Sequence, residues 1–256
     1  MADNTHSENP ARALLIALGV AMVCALVVSF TAVVLRPHYQ TNLENERIGR
    51  LGSILDALAE VTGEVDVSKL EALVVDLATG QYDKSVDAAL YNARKAALDP
   101  AQSTAVSAEN DLAGIKRRAN HAVVYLIRGP ENSVEALVLP IWGVGYQSAI
   151  YGYLALSADS REILAIKFYE HGETPGLGSR IQDARWEALW PGKQAFDDDG
   201  AVIVHVGNRG GGDGDNRIEA ISGATRTSMG VDGMVRFWLG EYGFGPYLSR
   251  IRRGEG

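Results

Sequence analysis

Thiol chemistry is almost absent from this sequence. Its one cysteine, Cys24, lies in an apolar N-terminal run, so the rest of the chain has no internal disulfide and no thiolate metal site. Positive charge is scarce too. Lysine and arginine total 24 against 32 aspartates and glutamates, and the formal net charge of -8 excludes a basic surface for nucleic acid. The histidines are His6, His38, His121, His171 and His205; none is paired at metal-ligand spacing, so no metal is expected. No serine sits in a nucleophile elbow. Gly192-Lys193 lacks the following Ser/Thr and the upstream glycine of a phosphate-binding loop. In the glycine-rich stretch Gly207–Arg217, Asp215 stands where a dinucleotide fingerprint needs its third glycine. Nothing points to a hydrolase or to an independent nicotinamide site.

What the chain does have begins with a long uncharged run, Ala13 to Leu35. A helix of that length crosses the roughly 30 Å hydrocarbon core of a bilayer. A signal peptide's apolar core is only about 7–15 residues, so a retained single-span anchor in the lipid bilayer is expected. Four sections follow from this: a tail at 1–12, a transmembrane helix at 13–35, an amphipathic connector at 36–64 and a soluble domain at 65–256. Arg12 precedes the span, while Arg36, Arg47 and Arg50 follow it. Counted literally, this puts the C-terminal side in the cytoplasm, but long domains translocate regardless of nearby charge.

In the connector, Leu43, Ile48, Leu51, Leu55 and Leu58 recur at helical spacing; a helix lying on the soluble domain is favoured over a stalk packing on partner subunits. The Ala-, Leu- and Asp-rich section from Val65 to Glu109 reads as short helices. Lys116, Arg117 and Arg118 read as a solvated turn. Strands are expected at His121–Arg128, Glu135–Ile141, Ala149–Asp159 and Glu162–His171, where β-branched and aromatic residues concentrate between Gly- and Asn-containing breaks. A helix around Asp183–Leu189, a strand at Ala201–Val206, a polar loop and a helix at Thr225–Leu239 complete the pattern. Strands and helices segregate, so the class is α+β, with a mainly antiparallel sheet and flanking helices.

Two motifs carry chemistry. In "HGETPGLG", His171–Gly178, Pro175 fixes one backbone angle while Gly176 and Gly178 permit turns and close approach to a ligand. Glu173 and Thr174 offer polar contacts there, and Leu177 an apolar one. The second motif is "ISGATRTS", Ile221–Ser228. Ser or Thr at a helix start is a preferred cap. The same geometry holds a phosphate, because free amides and the helix dipole favour an anion. Ser222, Thr225, Thr227 and Ser228 are all candidate hydroxyls.

With these residues in view, the chain resembles the C subunits of the sodium-translocating NADH:quinone oxidoreductases over nearly its whole length. "AVVLRPHYQTNLENE" is similar to that family's anchor and exit, "LPIWGVGYQSAIYGYLALSAD" to its central sheet, and "ETPGLG" and "SGATRTS" to its two flavin signatures. The resemblance implies FMN joined through its phosphate to Thr225, with Ser222, Gly223 and Ala224 allowing close phosphate approach. It implies Glu173, Thr174, Gly176 and Leu177 around the ring, with Trp142 stacked on it. It also implies a flavin transferase that cleaves FAD and recognises an acidic residue before the motif, here Glu219 in place of the usual aspartate. Electron relay among the other members of an inner-membrane complex, with the soluble domain in the periplasm, follows from the same resemblance. Two rivals are the G component of the ferredoxin-linked Rnf complex, which shares the covalent-flavin motif, and a membrane-tethered sensory or structural module with an empty flavin site.

Overall fold

The computed structural model describes residues 14–29, 49, 51–59, 70–207 and 214–255. Residues 14–29 form a helix in which every residue is exposed. At about 1.5 Å per residue it is about 24 Å long, short of a bilayer core. Among the described residues no helix is long and apolar enough to cross a membrane. Positions 13 and 30–35 of the expected span lie outside the described residues, as do Leu43 and Ile48 of the connector.

The chain from Gly49 onward forms a compact unit of its own, built on one five-stranded antiparallel sheet. Its strands are β1 (Leu70–Asp76), β4 (His121–Arg128), β5 (Val134–Val144), β6 (Ala149–Ser157) and β7 (Ile163–Glu170), and they lie side by side in that order. β4 to β7 pair with their neighbours in sequence, as the strand pattern predicts. β1 corrects the expectation of short helices: it pairs along its whole length with β4, from Leu70↔Ile127 to Asp76↔His121. A small ribbon joins β2 (Ser103–Ala105) to β3 (Arg117–Ala119). The expected solvated turn at 116–118 is therefore in part a strand. Arg118 is buried within it and donates from Nη1 to the Tyr242 carbonyl at 2.6 Å.

Both faces of the main sheet are covered, which is why its strands read as nearly continuous apolar runs. Side chains alternate between the faces. On one face Val123, Tyr125, Val138 and Tyr153 pack against Leu51, Ile54, Leu55 and Leu58 of helix α1 (51–59). On the other, Val124, Leu126, Leu139 and Ile141 pack against the C-terminal helices. The connector helix thus lies on the domain, as its spacing predicts.

The remaining helices are α2 (Ala93–Leu98), α3 (Ala184–Glu187), α4 (Thr225–Leu239) and α5 (Gly245–Arg252), the last unforeseen. The expected strand at 201–206 is reduced to β8 (His205–Val206), paired in parallel with β9 (Arg217–Ile218). Helix α4 lies close on the sheet because glycines form the seam. A Cβ at Gly143 would come within 2.8 Å of Met234, at Gly230 within 2.6 Å of the Val144 carbonyl oxygen, and at Gly233 within 2.2 Å of that of Leu112. The outer edge of β7 is capped by side chains at Phe168. Gln182 Nε2 donates to the Phe168 carbonyl at 2.6 Å. The Glu187 carboxylate, paired with Lys167 Nζ, accepts from the backbone of Phe168.

Candidate functional site

Three segments meet at the start of α4. The first is the turn that leads into it. The Ala224 amide donates to the Ile221 carbonyl at 3.0 Å, and Gly223 takes φ +82°, a conformation that costs glycine nothing. The N-cap is Ala224, which has no side-chain acceptor, and the first turn holds no acidic residue. The expected hydroxyl cap is therefore missing. Arg226 adds a cation where the helix dipole is already positive. The first-turn amides lack a side-chain partner, and this charge balance suits a bound anion.

The four hydroxyls separate cleanly. Thr227 is buried and donates from Oγ1 to Glu173 Oε2 at 2.6 Å. Ser228 is buried; its Oγ donates to the Ala224 carbonyl at 3.1 Å and accepts from the Ile221 amide at 2.9 Å. Ser222 and Thr225 are exposed, and neither hydroxyl has a partner among the described residues.

The second segment is the loop at His171–Gly178. Gly176 takes φ +72°, and its amide donates to Ser179 Oγ at 3.0 Å. The Thr174 carbonyl accepts from the amides of Leu177 and Ser179, each at 3.1 Å. Leu177 is 47% exposed and overhangs the turn: a Cβ on Gly223 would lie 3.4 Å from its Cδ2. Thr174 and Gly176 therefore shape the loop that presents Leu177. Glu173 differs from its expected place beside a ring. It is 5% exposed, and its carboxylate already serves Thr227 and the third segment.

That third segment is the β5–β6 turn. The amides of Gln147 and Ser148 donate to Glu173 Oε1 at 2.9 and 3.2 Å. Burial pushes the Glu173 pKa up, but the hydrogen bonds from Thr227 and the turn amides outweigh it and hold the carboxyl below its ordinary value. Glycines make room for the carboxylate. A Cβ at Gly145 would reach 2.5 Å from Oε1, and one at Gly178 would reach 2.8 Å from Oε2.

Trp142, expected against a ring, is engaged by the protein itself: it stacks on Tyr151, with ring centroids 5.8 Å apart and planes at 16°, and is partly buried against the cluster that α4 completes. The exposed aromatic residue that does approach the first turn of α4 is Tyr146, which sequence reading passes over. It is 52% exposed, with the Arg226 guanidinium 5.2 Å from its ring centroid. Its signal is a tyrosine in a glycine-bounded strand turn, a position with little packing to do. Glu219 is exposed, and its carbonyl accepts from Trp186 Nε1 at 2.8 Å.

A helix start suited to an anion, flanked by an exposed tyrosine and an exposed leucine, defines a site for a phosphate-bearing planar group. In agreement, residues 145–240 match the model of the FMN-binding domain family. The chain is 37% identical to the C subunit of the Na(+)-translocating NADH-quinone reductase of Neisseria meningitidis serogroup A, covering 98% of both chains. It is 38% identical to the protein of the same name from Pseudomonas aeruginosa, covering 98% of this chain and 99% of that one. Among solved structures, Shewanella oneidensis NqrC superposes with a TM-score of 0.70 at 30% identity, covering 80% of this chain and 99% of that one. The structure of the C subunit from Parabacteroides distasonis, at 23% identity and a TM-score of 0.57, shares the fold. The chain belongs to the NqrC family, the C subunits of the Na(+)-translocating NADH-quinone reductases.

Proposed function

We propose that this chain carries electrons in a membrane-bound, sodium-translocating NADH:quinone oxidoreductase, through FMN esterified to Thr225. The observation behind this reading is the sorting of hydroxyls. Thr227 and Ser228 are buried and engaged, whereas Thr225 is exposed at the first position of an uncapped helix. In the attachment reaction Thr225 Oγ1 forms a bond to the flavin-side phosphorus of FAD, AMP leaves, and the hydroxyl proton is lost. A separate flavin transferase performs it, and exposed Glu219 is open to that enzyme.

When bound, the flavin supplies reversible electron uptake and release. The protein does the rest. First-turn amides of α4 and the Arg226 cation balance the phosphate charge. Gly223 keeps the turn open for its approach. Tyr146 and Leu177 flank the ring from two segments. Covalent attachment removes dissociation and fixes the distance over which electrons pass. The helix at 14–29 exposes ten large apolar side chains from Leu14 to Val28. We read it as part of an anchor in the bacterial inner membrane, with the domain on the periplasmic side and the other proteins of the complex as partners.

Denaturing electrophoresis under ultraviolet light tests the attachment. Full-length chain made with an active transferase is expected to give a fluorescent band that Thr225→Ala loses. A band that survives in Thr225→Ala and disappears in Ser222→Ala would move the tether to Ser222. A dark wild-type band overturns the reading. Protease protection in oriented vesicles tests the periplasmic placement; cleavage from the cytoplasmic side contradicts it.

A further inference from the structure

The residue that organises the site is buried and has no hydrogen bond to the proposed tether. Glu173 lies in the 171–178 loop, yet its two carboxylate oxygens reach two other parts of the chain. Oε1 accepts from the amides of Gln147 and Ser148, directly after Tyr146. Oε2 accepts from Thr227, two residues after Thr225. The loop itself presents Leu177, four residues further on. One carboxylate therefore links the three segments that carry Tyr146, Leu177 and Thr225.

The surroundings are built to this group. Gly145 and Gly178 stand against its two oxygens where any Cβ would collide. The Glu173 amide in turn donates to His171 Nδ1 at 3.2 Å, which orients the start of the loop. A buried carboxylate with one donor removed is less stable in its closed position, because an under-satisfied buried acceptor favours opening to water. Thr227 and the β5–β6 turn are thereby coupled although no hydrogen bond joins them directly.

We propose that Glu173 is a positioning residue: its carboxylate locks the β5–β6 turn, the 171–178 loop and the first turn of α4 into one rigid bed for the flavin ring. The bed rests on the flavin reading above, whereas the three-way lock does not.

Two measurements on the full-length chain separate these. The first uses the chain before flavin transfer and follows amide hydrogen exchange at Gln147 and Ser148. Thr227→Val removes a donor on α4 that contacts neither amide. Exchange at both is expected to rise several-fold, and Thr227→Ser is expected to restore the wild-type rate. Wild-type exchange in Thr227→Val overturns the lock. The second uses the flavin-loaded chain. Glu173→Gln and Thr227→Val are expected to keep covalent loading, to lose visible circular dichroism of the flavin, and to gain quenching of its fluorescence by iodide. Unchanged dichroism and quenching in both variants overturn the positioning role. If wild-type chain takes up no flavin, the flavin reading fails, while the exchange measurement still decides the lock.

Discussion

Thr227 Oγ1 donates to Glu173 Oε2 across 2.6 Å, joining residues 54 positions apart in the chain. Both partners are buried, at 2% and 5% exposure, so neither has water as a substitute. The bond fixes α4 against the 171–178 loop and gives the site a pH dependence of known sign.

The Glu173 carboxyl is held below its ordinary value of 4.5 in the folded chain. The stabilisation it provides is therefore present above that value and is lost as pH falls through the depressed one. We predict that the urea midpoint drops as pH falls below the ordinary carboxyl range, and that Glu173→Gln flattens part of this slope. An unchanged slope in the variant would count against the assignment.

Gly178 and Gly176 give a matched pair. Alanine at 178 places a Cβ 2.7 Å from Thr227 Oγ1 and 2.8 Å from Glu173 Oε2. It should cost about 1–3 kcal/mol by overpacking. Alanine at 176 meets nothing within 4 Å and suffers only the φ of +72°, at about 1–2 kcal/mol. Chemical denaturation gives both values. Iodide quenching of the loaded flavin should change more for Gly178→Ala, and equal quenching in the two variants would contradict the prediction.

Tyr146 and Trp142 test which aromatic residue faces the flavin. Tyr146→Ala is predicted to alter the flavin's visible dichroism, while Trp142→Phe leaves it near wild type, because Trp142 is held in its stack on Tyr151. The reverse result would place the ring elsewhere.

Lys167 holds the buried Glu187 carboxylate. Burial raises the Glu187 pKa despite this partner. A raised carboxyl pKa destabilises the folded chain as pH rises through it. Lys167→Met, which removes the partner, should therefore cost more at pH 8 than at pH 5, up to about 3–5 kcal/mol. Thermal midpoints at the two pH values read this directly; equal losses would refute it.

Strands β4 to β7 and helix α4 are legible in the sequence because each satisfies its own period and composition. β1 is not: "LEALVVD" carries no strong local preference, and its conformation comes from pairing with β4, which is distant in sequence. Trp142 misleads for a related reason: its stacking partner Tyr151 is its cross-strand neighbour, which local sequence does not reveal. Tyr146 lies in the turn between β5 and β6, and only the fold brings that turn to α4. Glu173 reads as a polar group in a glycine loop, but its donors lie 25, 26 and 54 residues away. Local sequence offers four hydroxyls; the family resemblance points to Thr225, and the folded chain leaves it as one of two exposed ones.

The capped point on the edge of β7 bears on crowding. Phe168 presents its carbonyl to Gln182 and its amide to Glu187. An incoming strand would first have to displace both side chains, one of them charged and buried. At this point of the edge, copies of the domain held at high local density meet side chains rather than open backbone groups.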